Sequence, residues 1–364
     1  MVGENTIKDL FIYSIDVHSG EIRYQERKSK DGTVLCTPLV SFFLFFRRDY
    51  MIDLHHDLLS IMYYCYLRDN YEYLENWIKN FNKGNVSGLL ANLYYMSPEE
   101  MQEEMGNTKI NVVEMFQKGI ELFRKYLPEE QVIYSIEGCD YIEDVHELEE
   151  LYHLGLRNIL LVWNCPNKYG SGNRGDYGLT ELGKEFLLKA IDLGISIDMS
   201  HMNKKTFFDT IELIKEEKRK GKQVKVLASH SNCFEICHHK RNLDDEQLKA
   251  LKEVDGLLGL VSYEPFVKDE EDERDSKEVY LMHIEHAVSI LGINNVGVSS
   301  DDMTFSEALF QEKYGEMVFD YATIQSQLKA LLQTRYQEDE VEKILYKNSQ
   351  ERLFKIINKR RRLI

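Results

Sequence analysis

"TELGKEFLLKAIDLGISIDMSH", residues 180–201, holds a whole helix and a whole strand in one short stretch. Apolar residues at Phe186, Leu187, Ala190 and Ile191 recur at spacings of three and four, which predicts one buried helical face. Thr180 stands where an N-cap is wanted, and Gly194 stands where a helix stops. "GISIDMS" (194–200) then has the length and β-branched content of a strand, and it ends on His201. Helix followed by short apolar strand is the repeating unit of an alternating α/β fold.

The same unit recurs outward from this stretch. Strand-length apolar runs occur at "YMIDLH" (50–55), "SGLLANLYY" (87–95), "QVIYSIE" (131–137) and "RNILLVW" (157–163) before it. "KVLASH" (225–230), "GLLGLVSY" (256–263) and "NVGVSS" (295–300) follow. Amphipathic segments such as "KKTFFDTIELIKEEKRKGK" (204–222) lie between them. Eight such units in roughly 310 residues match a (β/α)8 TIM-type barrel, so an α/β barrel over residues 51–364 is the expected fold. Residues 1–50 read otherwise. "IYSIDV", "EIRYQERK" and "TVLCTPLVSFFLFF" are strand-like, with "HSGE" and "SKDGT" as turns, and predict a small N-terminal β-meander extension packed on the barrel. The acidic "KDEEDERDSKE" (268–278) is expected to be a solvated loop.

Composition narrows the function. The chain has 364 residues, 43% hydrophobic and 29% charged, as an ordinary globular protein does. A net charge of −17 argues against nucleic acid as a partner and fits a soluble, cytoplasmic protein. "PLVSFFLFF" is too short to span a bilayer, which takes about 20 apolar residues. "MVGENTIKDL" lacks the basic start of a signal peptide. The six cysteines are scattered and expected to be reduced, and Cys233 and Cys237 have no second pair nearby to make a zinc ribbon.

A barrel enzyme keeps its chemistry at the C-terminal ends of its strands. His55 and Asp57 end the first strand, Glu137 the third, His201 the fifth, His230 the sixth and Asp301 the eighth. Imidazoles and carboxylates are the ligand types for zinc and similar divalent ions. A buried carboxylate cluster without a cation would be disfavoured by desolvation and like-charge repulsion. A two-metal site with one bridging carboxylate relieves both.

The set "DLHHD", "IEG", "GLTELGKE…DMSH", "SHSN…KRN" and "VGVSSD" resembles the membrane (renal) dipeptidase family, peptidase family M19, over nearly all of residues 51–355. The resemblance implies a (β/α)8 barrel with two zinc ions that hydrolyses dipeptides by a metal-bridging hydroxide. By matched motif, His55 and Asp57 would hold one ion, His201 and His230 the other, and Glu137 would bridge them. Asp301 would handle the proton or the substrate amine. Arg241 would grip the substrate carboxylate, with Asn242 beside it and Tyr263 in the pocket. A homodimer is a further expectation from the family, and other divalent ions are alternatives to zinc. A binuclear amide or lactone hydrolase on the same barrel, or a catalytically impaired metal-binding homologue, are the competing readings.

Two positions depart from the family pattern. Trp163 stands where renal members have a histidine, so a pocket-wall role is expected for it rather than a titrating one. Met303 replaces a second aspartate after the eighth strand, which predicts a reshaped loop. His56, His283 and His286 are read as structural, and "NKRRRLI" as a basic helix end.

Overall fold

The computed structural model describes residues 11–15, 22–25, 51–94, 111–127, 132–302, 304 and 315–354. The chain divides into two compact units, Met1–Arg48 and Asp49–Ile364. In the first, β1 (Phe11–Ile15) and β2 (Ile22–Gln25) pair antiparallel, with a register slip between Ile12 and Ser14. The third strand expected at 33–46, Met303 and the basic tail lie outside the described residues.

The second unit is a closed barrel of eight parallel strands: β3 (Met51–His56), β4 (Val86–Tyr94), β5 (Val132–Glu137), β6 (Leu156–Leu160), β7 (Ser196–Asp198), β8 (Val226–Ala228), β9 (Leu257–Val261) and β10 (Val296–Ser299). Each expected apolar run overlaps one of them. Several stop short of the apolar run that predicts them. The expected 157–163 strand ends at Leu160, and the 194–200 strand is only Ser196–Asp198. Side chains take over there from strand neighbours. The Asp198 carboxylate accepts from Ser200 N and Ser229 N, at 3.1 and 3.0 Å, so these donors are satisfied without extending the ladder.

The helix of residues 180–193 forms as its sequence dictates. Thr180 Oγ1 accepts from Gly183 N at 3.0 Å, and Gly194 closes the helix at φ 77°. Phe186, Leu187, Ala190 and Ile191 are buried, with Phe186 against Tyr169 at 4.3 Å between ring centres. This layer between strands and helices is the main core. A second, smaller cluster of Ile52, Leu54, Leu90, Ile133, Leu227 and Leu257 packs together with Leu353 and Phe354. The acidic run expected to be a loop (268–278) is one only in part: a helix, Ser276–Leu291, begins inside it with Asp275 as its N-cap.

Candidate metal centre

Strand ends and the turns after them bring six predicted residues to one point. His55 is near the end of β3, Asp57 stands at the N-cap position of the helix Leu58–Leu67 without a side-chain capping bond, and Glu137 is the last residue of β5. Pairing of β3 with β4 slips between Asp53 and His56. His55 turns to Glu137 there, while the His56 ring packs on Trp77 and Tyr321 at 4.7 and 5.5 Å. His201 and Asp301 follow β7 and β10 in left-handed conformations, φ 69° and 48°. Such backbone is uncommon for side-chain-bearing residues and costs about 1–3 kcal/mol where the surroundings enforce it. Asp301 is held in place by its N–H, which donates to His55 O at 3.2 Å.

Glu137 stands at the middle. Its Oε2 lies 3.1 Å from His55 Nε2, while its Oε1 lies 2.8 Å from His201 Nε2 and 3.4 Å from His230 Nε2. Each carboxylate oxygen therefore faces a different histidine set. His55 Nε2 also lies 3.5 Å from Asp57 Oδ1 and 3.8 Å from Asp301 Oδ1. His201 Nε2 and His230 Nε2 face each other at 2.9 Å. Ligand atoms of His55, Glu137 and His230, and of His55, Asp57 and Asp301, fall within 4.8 Å of one another.

The far ring nitrogens explain how these rings are aimed. His201 Nδ1 meets Asn164 Oδ1 at 3.0 Å, which places the proton on Nδ1 and leaves Nε2 with a lone pair. His230 Nδ1 meets Ser229 Oγ at 2.8 Å, and His55 Nδ1 lies 3.0 Å from the Asn92 amide and 3.3 Å from the same Ser229 hydroxyl. Sequence reasoning missed Asn92, Asn164 and Ser229. Their one signal is a polar residue set inside or just after an apolar strand run.

Despite this closeness, His55 Nε2, Asp57 Oδ1 and Glu137 Oε1 are buried without a hydrogen-bond partner among the described residues. Burial pushes the carboxyls of Glu137 and Asp301 up, although His55 opposes it in both. Burial pulls His201 and His230 well down, helped by Arg241 and His55. For His55, burial is outweighed by the Glu137 and Asp57 carboxylates, which hold it well above the usual range. Orphaned acceptors and facing lone pairs in a dry pocket are the donor set that divalent cations satisfy, so these residues fit a metal centre.

The other predicted residues lie around it. Arg241 is 4% exposed, donates from Nη2 to His230 O at 3.3 Å, and has its guanidinium 5.5 Å from the Phe266 ring centre. Burial draws its pKa down to about 10, against the pull of Glu137, Asp301 and Asp198, so it stays protonated at neutral pH. Trp163 is half-buried between Tyr94 and His201, at 4.9 and 5.9 Å between ring centres. Asn242 is not brought to the cluster in the same way: Nδ2 donates to Cys237 O and Phe266 O, and Oδ1 accepts from Asn232 N. The Tyr263 hydroxyl accepts from Gly315 N at 3.0 Å. His283 is buried in hydrogen bonds to Cys233 N and Val267 O, away from the centre. Among the described residues the cysteines are free, and no helix is long and apolar enough to cross a membrane.

Comparison with known proteins points one way. Residues 100–363 match the family described as membrane dipeptidase, peptidase family M19. An uncharacterized protein encoded in the pqqA 5′ region of Klebsiella pneumoniae is 28% identical over 60% of this chain and 79% of its own length. An uncharacterized dipeptidase of Schizosaccharomyces pombe is 28% identical over 46% of this chain, and the match spans only 40% of that relative. In fold, the chain is similar to a Rhodobacter sphaeroides metallo peptidase crystallised with a phosphinate mimic of the dipeptide L-Ala-D-Ala. That similarity has a TM-score of 0.67 at 20% identity, covering 86% of this chain and 99% of that one.

Proposed function

This chain belongs to the membrane dipeptidase family, peptidase family M19, a family of peptide-bond hydrolases, and from that premise we propose that it is a zinc-dependent dipeptidase. The observation that carries the metal assignment is Glu137, with one oxygen turned to His55 and the other to His201 and His230. In this reading His55 and Asp57 would hold one divalent ion and His201 and His230 a second, with Glu137 as a ligand available to both. When bound, such ions supply Lewis acidity, lowering the pKa of water and polarising a carbonyl. Zinc suits the imidazole-rich set, and other divalent ions of similar preference can replace it.

The chain's own residues do the rest. Arg241, buried and with its Nε unpartnered, binds the C-terminal carboxylate of the substrate and so restricts it to short peptides. Asp301, whose Oδ1 lies 3.8 Å from His55 Nε2, carries a proton to the leaving amine. Trp163 forms a wall of the pocket beside His201 and excludes water. Asn164 fixes the His201 tautomer, and Asn92 and Ser229 hold the His55 and His230 rings in place through their Nδ1 atoms.

The test is to purify the protein, measure its zinc content, and assay a dipeptide panel before and after chelation. The proposal expects hydrolysis that is lost with EDTA, restored by zinc, and absent in Glu137→Ala. Undiminished turnover after the metal is stripped would refute it.

A further inference from the structure

A cavity of about 280 Å³ opens beside His201 and runs to Arg241, with Asn173, Lys240, Lys204 and Asp244 among its walls. The carboxylate in its wall, Asp244, is already paired. Asp244 Oδ1 accepts from Gln247 N at 2.9 Å, and Oδ2 takes Lys204 Nζ at 2.6 Å. Lys204 is committed a second time, to Glu246 at 2.8 Å. The Asn242 amide is used up on loop backbone.

Several donors are left over. Arg241 Nε and Asn173 Nδ2 are buried with no acceptor, and Lys240 stands exposed with no ion pair among the described residues. A dipeptide's α-carboxylate satisfies the guanidinium of Arg241 and nothing more. Asn173 and Lys240 then still line the cavity with a buried donor and a cation, and a buried donor without an acceptor is costly.

We infer that the enzyme selects dipeptides whose C-terminal residue bears a side-chain carboxylate, aspartyl or glutamyl, with Asn173 and Lys240 as the determinants. This rests on the dipeptidase reading above. The second carboxylate accepts from Asn173 Nδ2 and lies in the field of Lys240, while the first occupies Arg241. A carboxamide of the same shape offers no charge to Lys240. The exposed lysine contributes modestly and the buried amide donor rather more, so a preference of about tenfold is expected.

The test is kcat/KM of the zinc-loaded protein for Ala-Asp against Ala-Asn and for Ala-Glu against Ala-Gln, with Ala-Ala as reference. Calorimetric binding of the analogues of Ala-Asp and Ala-Asn with a reduced peptide bond gives the same comparison without turnover. The expected result is an acid-over-amide ratio of about tenfold, seen in KM and in binding, and cut to near unity in Lys240→Glu and Asn173→Asp. Equal or better use of the amides, with Ala-Ala hydrolysed, overturns this inference and leaves the dipeptidase reading standing. A ratio that neither variant moves overturns the assignment to this cavity. If no dipeptide is hydrolysed or bound, both fall together.

Discussion

Replacing Arg241 by alanine separates substrate recognition from metal chemistry. Arg241 is 4% exposed, and among the described residues its guanidinium makes one hydrogen bond, to His230 O, at a long 3.3 Å. Its binding capacity is thus mostly unspent in the protein alone. Truncating one partner of a buried, hydrogen-bonded charge pair costs about 2–5 kcal/mol. At 1.4 kcal/mol per factor of ten, kcat/KM for a dipeptide should fall roughly 30- to 3,000-fold, chiefly through KM. The control is the matching dipeptide amide, which lacks the terminal carboxylate. The wild type should prefer the free acid by a similar factor, and Arg241→Ala should treat acid and amide nearly alike. Circular dichroism and zinc content would show that the variant remains folded and loaded. If the variant loses equal activity on both substrates, or keeps the acid preference, Arg241 does not read the carboxylate, and a wider amide or lactone substrate class becomes the better reading.

Three further outcomes follow from other parts of the structure. Asn164→Ala removes the acceptor that holds the His201 tautomer and should weaken zinc binding by about 10- to 100-fold, read by competition with a chelating dye. Stripping the metal should lower the melting temperature by about 8 °C or more when free zinc stood at about a thousand times its dissociation constant, because that linkage is worth about 4 kcal/mol per site; an unchanged melting curve would contradict a metal centre. Phe186→Ala should destabilise the fold by about 3–5 kcal/mol by leaving a cavity against Tyr169, measured by denaturant unfolding, without altering the acid-over-amide preference of the folded enzyme.

The barrel was legible because its strands are buried on both faces and read as short apolar runs, separated by helices with clear start and stop residues such as Thr180 and Gly194. The strand ends were less so. At Asp198 a carboxylate takes backbone donors that a ladder would otherwise pair, and nothing in the apolar pattern announces that. The candidate ligands His55, Asp57, Glu137, His201 and His230 stood out because imidazoles and carboxylates recur at the same end of successive strands. Their supporting groups did not. Asn92 and Ser229 lie within apolar runs and Asn164 just past its own, and only spatial convergence reveals that each meets a histidine ring nitrogen. The reach of Asn242 and Tyr263 was also invisible, since their polar atoms turn to loop backbone that has no sequence signature.

The account stands on two cations held about Glu137. Anomalous scattering from a zinc-soaked crystal, recorded on both sides of the zinc absorption edge, tests this most directly. It should show two peaks flanking the Glu137 carboxylate, one within ligand distance of His55 and Asp57, the other of His201 and His230. The absence of any peak at Glu137, or zinc bound only at surface groups, would contradict it.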